Sequence, residues 1–139
     1  MEHPGWLRLR QALWPDCARE QHLADMKSFI SRPDRYGQFV AYSPSSEAIG
    51  LAEASIRTDY VNGTESSPVG FLEGLYVVPQ ARRKGVAASL VAAVCDWSRR
   101  AGCGELASDA VLENSIGHVV HRALGFEETE RVVFFRRKL

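Results

Sequence analysis

Cysteine is scarce in this sequence, and the cysteines that are present form no recognisable pairing pattern. There are three among 139 residues, Cys17, Cys95 and Cys103, which are widely spaced and outside any CxxC pattern. An odd number at such spacings indicates neither a disulfide framework nor a zinc site. We therefore expect a protein that binds no metal and works in the reducing environment of the cytoplasm.

Net charge and long apolar runs are also missing. Seventeen basic and seventeen acidic side chains cancel to zero, whereas proteins that bind nucleic acid or membrane surfaces usually carry a basic excess. No apolar run approaches the roughly 18 residues that a membrane span needs, and the first six residues lack the apolar core of a signal peptide. We expect no nucleic-acid partner, no membrane partner and one domain over residues 1–139.

The spacing of apolar residues, together with Gly and Pro breaks, predicts a mixed order of helices and strands. Gly74 lies in the middle of the third predicted strand, where a glycine commonly marks a bulge or a close backbone approach. The predicted helices are 6–13, 16–29, a helix that follows the 82–87 turn and ends near Gly102, and 114–124. The predicted strands are 38–42, 48–57, 69–78, 105–108 and a final strand over 126–137.

The most informative stretch follows the third strand. An apolar run ends at Pro79, three cations follow at Arg82, Arg83 and Lys84, and Gly85 opens a helix. Three cations alone are typical of a solvated surface turn. A strand, a turn rich in backbone N–H groups and a helix N-terminus together also form a site for phosphates, because the free amides and the helix dipole point the same way.

Two motifs in this half of the chain resemble the GNAT superfamily of N-acetyltransferases. Arg82-x-x-Gly85-x-Ala87 is similar to its acyl-CoA signature, Q/R-x-x-G-x-G/A. The second motif runs from Asn114 through Gly117, Val120 and His121 to Gly125-Phe126, and resembles N-x-x-A-x-x-Φ-Y-x-x-x-G-F. Each motif alone is weak, but two in the right order, in a strand-turn-helix context, are specific.

This resemblance implies an α/β fold with a mixed sheet, splayed between its central strands and flanked by helices, with acetyl-CoA as co-substrate in the gap. It implies that the turn amides hold the diphosphate and that the third strand pairs with the pantetheine arm. It also implies that an amide of Tyr76 or a neighbour hydrogen-bonds the thioester oxygen, and that Asn114 contacts the cofactor. The implied cofactor-binding residues are Leu75, Tyr76, Val77, Val78, Arg82, Arg83, Lys84, Gly85, Val86, Ala87 and Asn114.

Segments outside the acyl-CoA turn are similar to the aminoglycoside 6'-N-acetyltransferases, and this similarity covers most of the chain from Trp6 onward. The segments are Asp59–Val69, Phe71–Gly74, Ala107–Asp109 and His121–Glu130. The resemblance implies acetyl transfer from acetyl-CoA to the 6'-amine of an aminoglycoside, by direct attack of the amine, and so antibiotic resistance.

Glu73 and Asp109 are the substrate-site acids that this resemblance implies. A polycationic substrate needs local carboxylates even when the whole protein is neutral. Glu73 would accept a proton from the attacking ammonium through water, and Asp109 would bind or orient the amino sugar, although the two roles are interchangeable. Without the resemblance, Glu73 reads equally as a surface acid and Asp109 as a strand-end cap.

Each of four further residues has two interpretations. Trp14 and Tyr60 are aromatic walls for sugar rings or core residues, and Glu130 extends the acidic surface or lies on a solvated strand face. His121 stands where many relatives have a tyrosine, so it is either the acid for the departing thiolate or a packed helix histidine.

Two alternatives to the leading function remain at this stage. One keeps the fold and cofactor but acetylates another small amine, a polyamine or a protein lysine. The other is a non-catalytic module that binds acyl-CoA. The final strand, Val132 to Phe135 in particular, would leave an exposed apolar edge, and we expect a homodimer in which the C-terminal strands cover it.

Overall fold

A computed structural model describes residues 3–139 of the chain. Up to residue 124 the helices and strands follow the predicted order, with boundaries within about three residues of the expected ones. The helices are α1 (Trp6–Leu13), α2 (Arg19–Ser31), α3 (Val86–Arg100) and α4 (Ser115–Ala123), and a short 3₁₀ helix spans Pro79–Ala81. The strands are β1 (Tyr36–Tyr42), β2 (Ala48–Arg57), β3 (Val69–Val77) and β4 (Leu106–Ala107).

The four strands form one mixed sheet in the order β1-β2-β3-β4. The β1–β2 and β2–β3 pairs are antiparallel, and β3 and β4 are parallel. The parallel pair is short, since it joins Gly70 to Leu106 and Phe71 to Ala107 before β4 ends. Beyond Phe71 no strand of the described chain lies on that side of β3. The pairing of β3 with β4 thus ends early and leaves the rest of that edge of β3 open, which agrees with the expected splay of the sheet.

Helices cover both faces of the sheet, which explains why β2 is buried nearly throughout. On one face α3 packs so closely that a β-carbon on Gly50 would lie 2.9 Å from Val86 Cγ1 and 3.0 Å from Leu90 Cδ1. Successive strand residues point to opposite faces, so Leu51 and Glu53 face the other side, where α1 lies. Trp6 and Leu9 of α1 are completely or almost completely buried there.

The predicted final strand over 126–137 is wrong for this chain by itself. Residues 126–139 form no helix or strand, and β4, with two residues, offers no long edge for pairing. Phe126 still packs against the main core, but beyond it the apolar side chains are exposed, for example 92% for Phe135. β-propensity alone does not make a strand, because its backbone groups need a partner.

No helix among residues 3–139 has both the length and the apolar character required to cross a membrane.

Candidate active site

The turn between β3 and α3 presents a run of free backbone amides. Arg83 (φ 62°) and Gly85 (φ 82°) are in the left-handed region, and Gly85 is the N-cap of α3 without a side chain to cap it. Within residues 3–139 the amides from Arg83 to Ala88 have no hydrogen-bond acceptor; the first amide of the helix that has one is Ser89, which donates to Gly85 O. Consecutive free amides at the N-terminus of a 15-residue helix form an anion site.

The three cations of this turn differ in their surroundings. Arg82 Nε donates to Val77 O at 2.8 Å, and its guanidinium lies 5.7 Å from the centre of the Tyr76 ring. Arg82 therefore fastens the turn to the end of β3. Arg83 and Lys84 are exposed beside the free amides, where they add positive charge to the anion site.

The edge of β3 that leads to this turn is open. Val78 N donates to Ile49 O at 2.9 Å, so the backbone groups of Val78 face β2. Because these groups alternate along a strand, those of Tyr76 also face β2, whereas those of Leu75 and Val77 face the gap beyond β4. The amide that faces the gap next to the bulge is thus that of Leu75, the neighbour of Tyr76.

A β-bulge in β3 sets the position of Glu73. Glu53 of β2 pairs with Gly74 and Ala54 pairs with Leu72, so Glu73 is the extra residue. A β-carbon on Gly74 would lie 2.6 Å from Trp14 Cη2 and 3.0 Å from Leu13 Cδ2, so the glycine also admits the Trp14 ring. The bulge and the close approach expected from the Glu73-Gly74 pair are both present.

The Glu73 carboxylate is held by two residues of β2. Ser55 Oγ donates to Oε2 at 2.5 Å, and Arg57 Nη2 lies 3.0 and 2.9 Å from the two oxygens. The Arg57 guanidinium lies 3.6 Å from the centre of the Phe71 ring, which restrains it further. Glu73 therefore presents a fixed carboxylate rather than a mobile surface acid.

Two cavities meet at Glu73 and Tyr36, which line both. The larger has a volume of about 670 Å³, and the smaller, about 360 Å³, includes Arg57 and Tyr60. Tyr60 is 75% exposed, so it lies at the rim of the cavity and not in the core. The acidic and aromatic side chains that line the larger cavity are Asp16, Asp25, Glu53, Glu73, Trp14, Phe29 and Tyr36. Aromatic walls with several carboxylates suit a cationic sugar.

Asp109 is exposed and lies two residues after the end of β4. Ser108 Oγ lies 3.4 Å from Leu72 O, so the residues just before Asp109 and just before Glu73 are in contact. The backbone thus brings both acids to the point where β3 and β4 diverge. Asp109 does not line either of the two cavities.

His121 of α4 has hydrogen-bond partners at both ring nitrogens. Nδ1 lies 2.7 Å from Gly117 O, and Nε2 lies 2.8 Å from Ser108 Oγ. A carbonyl oxygen can only accept, so Nδ1 carries a proton that it donates to Gly117 O, while Nε2 and the Ser108 hydroxyl share a hydrogen bond in which either atom can be the donor. The ring packs edge-on against Phe126, at a centroid distance of 5.4 Å. Through Ser108, His121 is connected to the end of β4 next to Asp109.

Asn114 and Glu130 line neither of the two cavities. Asn114 is the N-cap of α4, and its Oδ1 accepts a hydrogen bond from Gly117 N at 2.9 Å. Glu130 is exposed, and together with Thr129 it lies against Gly63 of the loop between β2 and β3. Two residues before Glu130, Glu128 pairs with Arg131 at 2.8 Å, which lowers the pKa of that carboxyl.

Sequence reasoning missed Ser55 and Arg57, which hold Glu73, and it missed the buried Arg10. Local spacing marks the position of each of these residues but not the partner that it contacts. Ser55 and Arg57 alternate on a strand that neighbours Glu73, and Arg10 shares the spacing of Trp6 and Leu13 on the inner stripe of α1. Which strands pair, and how a bulge shifts their register, cannot be read from local patterns, so these partners were not predictable.

Comparison with known proteins agrees with this geometry. Residues 5–126 match the family model described as Acetyltransferase (GNAT) family. The chain is 50% identical over 134 residues to an aminoglycoside N(6')-acetyltransferase type 1 of Acinetobacter baumannii, covering 96% of this chain and 90% of that protein. A protein of the same description from Salmonella enteritidis is 51% identical over 138 residues, with 99% and 92% covered.

Solved structures give the same result. A structure of AAC(6')-Iy in complex with the bisubstrate analog CoA-S-monomethyl-acetylneamine superimposes with a TM-score of 0.92 and 51% identity, covering 99% of this chain and 91% of that one. AAC(6')-Ih from Acinetobacter baumannii superimposes with a TM-score of 0.92 and 48% identity, covering 98% and 91%. The chain therefore belongs to the GNAT family of acetyltransferases, among the type 1 aminoglycoside N(6')-acetyltransferases.

Proposed function

We propose that this protein transfers the acetyl group of acetyl-CoA to the 6'-amine of aminoglycoside antibiotics. The observation that carries the proposal is the meeting of two features at the Glu73 bulge: the open β3 edge that runs to the anion-binding turn, and the acidic, aromatic cavity. The relatives described above support the same reaction, since they are named for it and one was solved with a CoA-linked aminoglycoside analog.

The residues present fit acetyl-CoA, which supplies an activated acetyl group when bound. The free amides from Arg83 to Ala88 suit its diphosphate, and the exposed Arg83 and Lys84 add charge. The open edge of β3 suits an extended amide-containing arm, which would pair with Leu75 and Val77 as an added strand. The Leu75 amide is the donor best directed at an oxygen that becomes negative in the gap.

On the acceptor side, Glu73 and Asp109 would act on the amine. An ammonium group must lose a proton before it can attack, and Glu73 would accept that proton through water. Asp109 would orient the amino sugar, and the two roles remain interchangeable. The nitrogen would then form a bond to the acetyl carbon as the carbon–sulfur bond breaks, and it would release its second proton to solvent. The thiolate takes a proton from solvent or from His121, whose Nε2 contacts Ser108.

The remaining site residues belong to the same proposal. Trp14 and Tyr60 would contact sugar rings, since one lines the larger cavity and the other the smaller. Glu130 would extend the acidic surface, and Asn114 would contact the cofactor from the start of α4. The three cysteines are free thiols, which is consistent with work in the cytoplasm.

A thiol-release assay with an amine panel tests this function. Purified protein with acetyl-CoA and kanamycin or tobramycin should release free CoA, and mass spectrometry with NMR should locate one new acetyl group at the 6' nitrogen. An aminoglycoside with a hydroxyl group at the 6' position is the matched control and should not be acetylated there. Turnover of a polyamine or a lysine peptide with none of the aminoglycosides would contradict the proposal, as would the absence of turnover with every amine.

We also propose that the protein is a homodimer joined through the C-terminal segment. Val132 to Phe135 carry four consecutive apolar side chains that are 44% to 92% exposed, an unusual arrangement for a segment that has no partner. The same four residues have high β-propensity and no backbone pairing in the described chain, so a second copy offers both apolar cover and strand pairing.

A further inference from the structure

A buried ionic cluster forms part of the wall of the larger cavity, and its arginine has no part in the chemistry described above. Arg10 of α1 is 4% exposed and pairs with Glu53 of β2, which is equally buried. Trp6 Nε1 donates to the other oxygen of Glu53 at 2.7 Å, and Arg10 Nη2 lies 3.3 Å from Asp25 Oδ2 on α2. Buried ion pairs add little net stability, because both charges lose their hydration. Such a cluster is better explained by the geometry that it imposes.

The cluster contacts Trp14 in two places. The Arg10 guanidinium lies 4.8 Å from the centre of the Trp14 ring, one helical turn away, which is cation–π distance. Arg10 Nε donates to Nδ1 of the fully buried His22 at 3.2 Å, so the neutral ring carries its proton on Nε2, which lies 3.3 Å from Trp14 O. Both the ring and the backbone of Trp14 are thus held by the same pair of residues.

Trp14 in turn contacts β3 beside Glu73. Its ring occupies the space that a side chain at position 74 would fill, directly beside the Glu73 bulge. Arg10, Trp14 and Glu73 all line the larger cavity. The Trp14 ring therefore forms a wall of this cavity, and its contact with Arg10 sets its position relative to the Glu73 carboxylate. Trp14 is the C-cap residue of α1 and is followed by Pro15, so the helix itself does not hold its side chain in place.

We propose that Arg10 and His22 are positioning residues for the aminoglycoside site, which act by holding Trp14 against the Glu73 bulge. This inference rests on the proposed function, since it assigns a role within the acceptor site. The anion-binding turn follows Val78, beyond the end of β3, so we expect changes in the cluster to alter the KM for the aminoglycoside and not the KM for acetyl-CoA.

Steady-state kinetics of Arg10→Met test the inference. The KM for kanamycin should rise about fivefold or more, as expected for coupling between residues in contact, while the KM for acetyl-CoA stays unchanged. Arg8→Met is the matched control: it removes the same charge from α1, where Arg8 donates to Ala48 O at 2.9 Å, and should change neither constant. Equal changes in both constants for Arg10→Met would overturn the inference.

A double-mutant cycle with Trp14→Ala separates positioning from general destabilisation. If Arg10 acts through Trp14, then Arg10→Met should have no further effect on the kanamycin KM once the ring is gone. Effects that multiply in the double variant would overturn the inference. Because Arg10→Met leaves the buried Glu53 without its counter-charge, the same cycle is run with His22→Leu, which keeps the ion pair, and thermal unfolding is measured for every variant.

Fluorescence gives a readout that does not depend on turnover. In a Trp97→Phe background, Trp6 is fully buried, so acrylamide quenching reports mainly on Trp14. Arg10→Met and His22→Leu should each increase the quenching constant, and unchanged quenching would overturn the inference. Absence of aminoglycoside turnover by the wild-type protein would instead refute the proposed function, so the two failures are distinguishable.

Discussion

In the proposed mechanism single residues decide the chemistry of the site, and Glu73 is the clearest case. The bulge turns it out of the regular alternation of β3, and Ser55 and Arg57 then fix the direction of its carboxylate. A residue that receives a proton through one water must be directed at that water, so its support matters as much as its acidity. The buried Arg10 provides a comparable support on the other wall of the cavity.

Replacement of the carboxylate should abolish most of the activity without disturbing the fold. Glu73→Gln keeps the size of the side chain and a partner for Ser55 but cannot take up a proton. We expect kcat to fall by about 10² to 10⁴-fold, with an unchanged KM for acetyl-CoA. Asp109→Asn is measured beside it, and the variant with the larger loss of kcat identifies the base. Full kcat in both variants would refute both assignments.

At the scale of elements, the proposed site for acetyl-CoA is formed by backbone amides. No side chain of the 82–87 turn is needed to present them. Gly85 has φ 82°, and a β-carbon there would meet no atom within 4 Å. The strain of Gly85→Ala is therefore conformational and not steric, about 1–2 kcal/mol. We expect a raised KM for acetyl-CoA from this variant.

Gly102 is a matched control for this prediction. It has φ 90° and equally open space, but it follows the far end of α3. Gly102→Ala should cost similar stability in denaturant unfolding and leave the KM for acetyl-CoA unchanged. If both variants raise that KM equally, the turn has no special role in binding the cofactor.

The loop between β2 and β3 is attached at its end by Glu105, just before β4. The Ser66 hydroxyl and then the Glu65 amide, at 2.9 Å, donate to this exposed carboxylate and lower its pKa below the ordinary 4.5. Because the pKa of Glu105 is lowered, its hydrogen bonds to the loop are fully formed above the ordinary pKa of a glutamate. They are lost as the pH falls through the lowered pKa of Glu105. Proteolysis within residues 58–68 should therefore accelerate below about pH 4.5, and Glu105→Gln should show the fast rate already at neutral pH. A rate that is independent of pH would contradict this attachment.

Predictability from sequence also differs between elements. The β3 strand, its bulge at Glu73-Gly74 and the turn at Arg82–Gly85 were all predicted, because glycine and charge patterns mark them locally. The prediction of a strand over residues 126–137 was wrong, because a strand needs a partner and none lies within the described chain. Partners such as Arg57 for Glu73 depend on pairing and register, which local patterns do not contain.

At the scale of the whole molecule, the uncovered apolar residues of the C-terminal segment decide whether one chain is the functional unit. We expect light scattering after size exclusion to give a mass near twice 15.5 kDa at micromolar concentration. Val133→Lys with Phe135→Lys places charges on two of the most exposed apolar positions, 72% and 92%, and should yield monomers. Ile30→Lys, at the end of α2 and 41% exposed, is the control that should stay dimeric. A wild-type monomer at this concentration would refute the dimer. Phe134 and Phe135 would then promote aggregation, because an unpaired apolar segment pairs with other chains when it has no specific partner.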